Sequence, residues 1–207
     1  MIKELVEKYY RDKGVVAKLR VGSGKFKPSL FGSCFRKQYY ARMGGSSGGG
    51  SLQMDVGIAL HEVVQTAVSK QEACIVESCI NIEDVLAYVD LEVADAVVEI
   101  KSTDCKKFKA IKEPKKEHVL QGGFYAIEKG ASRLILIYID RCGGQIKEFE
   151  LGVDEFRDDV EAELGTLRKA WAEGVPPPKW PRLYYGHECK FCGFAEKCEE
   201  DGEGRPF

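Results

Sequence analysis

Residues 84–103 read DVLAYVDLEVADAVVEIKST, and the reading of this stretch decides the architecture of the chain. Two runs rich in β-branched and aromatic residues, 84–93 and 96–102, are separated by a turn, the pattern of adjacent strands. A third run, ACIVESCINI at 73–82, precedes them, so the region reads as a three-stranded meander. Asp90 lies on one strand, and Glu99 and Lys101 lie on the next. Side chains two apart on a strand share a face, so a neighbouring strand that brings Asp90 alongside gathers two carboxylates and an ammonium. Val97, Val98 and Ile100 make the second strand a buried one, where unpaired charge is costly. Two hard oxygen donors at one point suit Mg²⁺ or Mn²⁺, and a bound cation offsets that cost. A solvent-facing salt-bridge ladder is the plain alternative for the same three residues.

Outward from this meander, Met54, Ile58, His61, Val64 and Val68 recur at helical spacing and predict a helix over 52–70. Pro114 opens a helix running to about Lys129. Strands follow at 133–140 and 145–151, then a helix over 153–173 that Gly174 and Pro176-Pro177-Pro178 end. Upstream, helices are expected over about 2–13 and 29–42, and the tail from Trp180 reads as a loop. This order implies an α/β core with a mixed central sheet flanked by helices. Residues 44–51, GGSSGGGS, cannot pack a core and behave as a flexible coil, with the look of an inserted linker. The chain therefore divides into an N-terminal helical segment (1–42), the linker (43–51), the core (52–175) and a cysteine-bearing tail (176–207).

The 207 residues, 44% hydrophobic and 31% charged, suffice for one globular core and a small appended element. No apolar run approaches the roughly 20 residues of a membrane helix. The opening MIKELVEKYYRDKG lacks the apolar stretch of a signal peptide, so a cytoplasmic location is expected. The net charge is only -2, yet residues 1–42 hold eleven Lys and Arg against three acids. Residues 101–116 hold seven Lys against two acids. Two basic blocks in an otherwise acidic chain suggest phosphate-binding surfaces, with solvated helix faces as the bland reading. Arg20, Lys25, Lys27, Arg36 and Lys37, interleaved with Phe35, Tyr39 and Tyr40, suit a single-strand track. Lys106, Lys107 and Lys109, with Lys112, Lys115 and Lys116, follow Lys101 and border its site.

Eight cysteines in a chain of this character favour metal or cluster chemistry over disulfides. Cys189-x₂-Cys192-x₅-Cys198 and the remote Cys34 can close a Cys₄ site, for zinc or iron–sulfur alike, and His187 offers a Cys₃His zinc alternative. A cross-link from residue 34 to the tail closes a loop of more than 150 residues, a constraint worth about 4–5 kcal/mol by analogy with disulfides. Cys74, Cys79, Cys105 and Cys142 fall outside the pattern and read as ordinary buried or part-buried residues.

Gly57-x₃-His61, Asp90, Glu99-x-Lys101 and Gln121-x₃-Tyr125 stand in the order that resembles RecB-type nucleases of the PD-(D/E)XK superfamily. One position departs: Ala87 stands where the family usually has Gly, three residues before the aspartate. One upstream cysteine and a downstream triplet, with SLFGSCFRKQYYARM (29–43) and EHVLQGGFYAIEKG (117–130), look most like the CRISPR-associated Cas-4 exonucleases. The resemblance implies a restriction-endonuclease-like core. It implies Mg²⁺ or Mn²⁺ held by His61, Asp90, Glu99 and the Ile100 carbonyl, with Lys101, Gln121 and Tyr125 completing the catalytic set. It also implies a 4Fe-4S iron–sulfur cluster on Cys34, Cys189, Cys192 and Cys198. The activity it implies is metal-dependent exonuclease cleavage of DNA, single-stranded by preference, trimming spacer precursors beside CRISPR integration proteins. A repair or viral nuclease with the same site, and a non-catalytic DNA-binding module, are the alternatives. Membrane association is not expected, and oligomeric state is left open.

Overall fold

A computed structural model describes residues 5, 8, 9, 23–44, 51–183 and 186–202. Arg20 and most of the helix expected over 2–13 lie outside the described residues. The three expected strands form as β1 (Cys74–Asn81), β2 (Leu86–Val93) and β3 (Ala96–Thr103). With β4 (Arg133–Asp140) and β5 (Ile146–Gly152) they make a five-stranded sheet in the order β1-β2-β3-β4-β5. Neighbours run antiparallel except β3 and β4, which are parallel. A parallel pair requires a long crossover, supplied here by α3 (Cys105–Ala110) and α4 (Lys116–Lys129). The sequence pattern does not announce α3, because six residues are too few to display a helical period.

Helices cover both faces of the sheet. Here α1 is Phe35–Met43, α2 Leu52–Ser69, α5 Arg157–Glu173 and α6 Ala195–Glu200. Along β3, Val98 and Ile100 meet Leu60, Val64 and Val68 of α2, whereas Val97 meets the larger core beneath α4 and α5. The helix expected over 29–42 starts later than its pattern suggests. Pro28–Leu30 form a 3₁₀ turn, and Cys34 is the N-cap of α1. Gly32 takes the left-handed φ of 77° there, and a Cβ on it would meet Glu117 Cβ at 2.7 Å. Only glycine lets this loop cross the start of α4 so closely.

Ser51 belongs to α2 rather than to a linker, since its hydroxyl accepts the Met54 N–H at 3.2 Å as an N-cap. Residues 45–50 are outside the described set. The sheet-facing stripe of α2 also differs from the expected one: Met54 and Ile58 are exposed. The inward positions run through Gly57, Leu60, Val64 and Val68. The tail is not a plain loop, because it folds into a 3₁₀ turn (Glu188–Phe191) and α6.

Candidate active site

The regular pairing of the sheet lapses at Asp90. The β2–β3 ladder pairs Val93 with Ala96 and ends at Leu91 with Val98. On the other side, the β1–β2 register skips the Glu77–Asp90 step, where Glu77 adopts a φ of 51°. Val89 packs in the core beneath α4 and α5, yet Leu91 packs beneath α2. Two residues apart on a regular strand would share a face, so β2 turns over at Asp90. The Asp90 carboxylate occupies the gap: its Oδ2 accepts the Ile100 N–H at 2.7 Å. Its Oδ1 lies 3.3 Å from His61 Nδ1.

Beside this gap, Glu99 and Lys101 project together from β3 toward α4. Glu99 is 1% exposed. Its Oε1 meets Lys101 Nζ at 2.6 Å and accepts from Gln121 Nε2 at 2.7 Å. Gln121 Oε1 in turn accepts from Lys101 Nζ at 2.9 Å, which orients the amide. The same Nε2 reaches the Tyr125 hydroxyl at 3.1 Å. Tyr125 is buried, so it supports Gln121 and offers no surface to DNA. The approach of α4 depends on Gly122, where a Cβ would lie 2.5 Å from Leu134 Cδ1.

Glu99 Oε2 is buried without a hydrogen-bond partner among the described residues. Burial pushes the Glu99 carboxyl up to about 7; Lys101 opposes the shift and Asp90 adds to it. An orphaned carboxylate oxygen close to a second carboxylate and an imidazole is a donor set that fits a hard divalent cation. Among the described residues, no three His, Cys, Asp or Glu side chains converge closely enough to hold one metal ion. Asp90 and Glu99 are instead turned to the separate partners named above. Ile100 is fully buried with its side chain toward α2, so only its backbone serves the site. Gln65, one helical turn beyond His61, donates to Asp90 O at 3.1 Å. Gln65 is a functional-site neighbour that the motif order does not include; its i+4 spacing from His61 is the signal that finds it.

A cleft of about 510 Å³ opens beside the site, bordered by Lys37, Lys101, Lys107, Lys115, His118 and Gln121. Four ammoniums facing one space suit a polyanion. Burial, reinforced by Lys101 and Lys115, pushes His118 down to about 3. Its neutral Nδ1 lies 2.9 Å from the Tyr138 hydroxyl, which accepts the Lys115 N–H at 3.0 Å.

Several expected DNA contacts are corrected by their surroundings. Arg36 is buried, with Nε donating to Pro177 O at 2.6 Å and Nη1 reaching Gly202 O and Cys198. Its Nε and Nη1 face tail carbonyls and its Nη2 is buried without a partner among the described residues, so it joins α1 to the tail and presents no donor to a phosphate. Lys25 is committed to Asn81 Oδ1 at 2.7 Å and to Ile82 O. Tyr39 and Tyr40 are core rings packed with Ala170 and Phe194, and the Arg182 guanidinium covers Phe35 at 3.9 Å. The proposed stacking track is therefore a packed seam. Lys27, Lys106, Lys107 and Lys109 are exposed.

Cys34, Cys189, Cys192 and Cys198 line one pocket of about 70 Å³. Burial raises the thiols of Cys189 and Cys192, and the neighbouring thiols add to it. The buried Glu188 stitches the pocket together. It accepts the Cys34 N–H at 2.9 Å and the Arg182 and Leu183 N–H groups at 2.9 and 2.8 Å. His187 is exposed and does not line the pocket, which removes it from the Cys₃His alternative. Among the described residues no three His, Cys, Asp or Glu side chains are placed to hold one metal ion, these four cysteines included. Of the remaining cysteines, Cys74 and Cys105 are part-buried as expected, whereas Cys79 and Cys142 are exposed.

No family model matches the sequence, and no curated protein matches it. Solved structures do share the fold. SSO0001 matches with a TM-score of 0.59 at 18% identity over 96% of each chain. The alkaline exonuclease LHK-Exo from Laribacter hongkongensis matches with a TM-score of 0.50 at 17% identity, over 81% of this chain and 98% of its own. At such identities the likeness is one of fold: the mixed sheet flanked by helices is an architecture that a known exonuclease also uses. Among the described residues no helix is long and apolar enough to cross a membrane.

Proposed function

We propose that this chain is a divalent-metal-dependent DNA exonuclease. The observation that carries the reading is the meeting of Glu99, Lys101 and Gln121 beside Asp90, next to a cleft bordered by four lysines. The fold shared with an alkaline exonuclease supports it. Asp90, Glu99 and the Ile100 carbonyl, with His61 at the edge, are the residues that would hold Mg²⁺ or Mn²⁺, which supplies Lewis-acid stabilisation and an acidified water. Lys101 sets its charge against the scissile phosphate, where a preorganised cation is worth most. Gln121 keeps that ammonium in register with Glu99, and Tyr125 keeps Gln121 in place. Lys37, Lys107 and Lys115 hold the flanking phosphates.

The finer reading is single-stranded DNA as substrate and spacer-precursor trimming with CRISPR integration proteins as the setting. It is supported by the motif order and by the shared cysteine pocket as the seat of an iron–sulfur cluster. The cluster residues Cys34, Cys189, Cys192 and Cys198 tie α1 to the tail. End-labelled single-stranded DNA incubated with Mn²⁺ and anaerobically purified protein tests the activity, with Glu99→Ala and Lys101→Ala alongside. Degradation by wild type alone is the expected result, and the label that disappears first gives the polarity. Equal inactivity of all three proteins, with iron fully loaded, overturns the catalytic reading.

A further inference from the structure

We propose that Cys105 and Cys142 form a reversible intrachain disulfide, separate from the four cysteines of the tail pocket. The parallel register of β3 and β4 aligns Thr103 with Asp140. The Arg141 N–H extends the ladder by donating to Thr103 O at 3.0 Å. Two residues past the end of each strand lie Cys105 and Cys142, whose side chains meet. Their meeting just beyond the last paired positions is the approach that a disulfide requires.

Both cysteines sit on fixed backbone. Asp104 caps α3 by accepting the Lys107 N–H at 3.0 Å, which sets Cys105 as the first helical residue. The buried Asp140 accepts the Cys142 and Gly143 N–H groups at 2.9 and 3.1 Å. Cys142 is exposed and Cys105 half-buried. A small oxidant therefore meets Cys142 first, with its partner waiting behind it.

The exchange balances with a low-molecular-weight disulfide such as oxidised glutathione. Cys142 loses its proton and its thiolate attacks one glutathione sulfur, expelling the first glutathione thiolate. Cys105 then loses its proton and attacks the Cys142 sulfur of the mixed disulfide, expelling the second. Two protein thiols are oxidised, and two electrons and two protons end on two reduced glutathiones. The bond closes the crossover from β3 to β4, the segment that carries Lys107, Lys115 and Gln121. Oxidation thus clasps one wall of the cleft and leaves the tail pocket alone.

The test is thiol mapping of the full chain after equilibration in reduced and then oxidised glutathione, with blocking by N-ethylmaleimide and digestion. Oxidised protein is expected to lose both alkylated peptides together and to yield one linked pair joining residues 105 and 142. Excess reduced glutathione is expected to restore the alkylated pair. Cys142→Ser and Cys105→Ser are each expected to abolish the linked pair. Full alkylation of both cysteines in every buffer, or linkage of either to a pocket cysteine, overturns the proposal. The wild-type arm contains no substitution, so misfolding of a variant does not decide the outcome.

Discussion

The acidic site and the cysteine pocket both crowd together groups that are costly to bury, yet they relate to the fold in opposite ways. Asp90, Glu99, Lys101 and Gln121 hang from two adjacent strands and the crossover that follows. Hydrophobic packing of β3 on both faces holds that frame. The cysteine pocket joins residue 34 to a tail more than 150 residues away, and polar groups are themselves the frame. Arg36 binds the carbonyls of Pro177 and Gly202. Arg182 pairs with the buried Glu163 at 2.6 Å, which also accepts from Gln38 and from Gly32. On the proposed function, polar groups in the first region are expected to be expendable for folding and needed for chemistry. In the second, removing them is expected to undo the architecture.

The largest effect expected from this contrast is on catalysis. Glu99→Gln should lower DNA cleavage by at least about 100-fold, with a Tm equal to or above wild type, because an orphaned buried carboxylate oxygen is neutralised. A simultaneous collapse in Tm would break the contrast, and calorimetry beside the nuclease assay decides it. Next is Arg36→Ala, which strands the carbonyls that Arg36 serves. It should cost about 3 kcal/mol of stability, seen as a fall in denaturant midpoint. The neighbouring Lys37→Ala should leave the midpoint in place and reduce the salt dependence of DNA binding by about one phosphate contact.

A further effect concerns acid and is confined to low pH. His118 is held neutral, its folded pKa near 3 lying below the ordinary 6.5. Between those values the unfolded chain binds a proton that the folded one refuses. Stability is therefore complete above about pH 6.5 and falls as pH drops toward 3, by at most about 1.4 kcal/mol per unit. His118→Asn should flatten that slope in denaturant titrations across the window. Smallest is Tyr125→Phe, which removes one hydrogen bond to Gln121. A loss of about 0.5–1.5 kcal/mol, divided between stability and kcat with KM unchanged, sharpens the assignment of Tyr125 to positioning.

Much of the site was legible because it rests on local rules. The period of two that puts Glu99 and Lys101 on one face, and the helical i+4 step from Gln121 to Tyr125, operate within single elements. The same rules misjudged part of α2. The expected stripe holds at His61, Val64 and Val68 but includes the exposed Met54 and Ile58, whereas Gly57, Leu60 and Gln65 also meet the sheet, because the partner surface is polar at Asp90. Arg36 reads as a surface cation in any composition argument. Its burial follows from a tail that returns over α1, which no window of sequence around residue 36 contains.

By itself, the sequence determined the strand meander, the helix ends near Lys129 and at Gly174, and the spacing of the acidic motif. Backbone preference and hydrophobic period act over a few residues, so these are readable along the chain. Only the tertiary structure decided that β2 turns over at Asp90, that Cys34 reaches the tail cysteines in one cavity, and that Cys105 meets Cys142. Each of these depends on strand register or on the return of a remote segment. Burial and hydrogen bonding across the whole fold select among those pairings, and local propensity is silent about them.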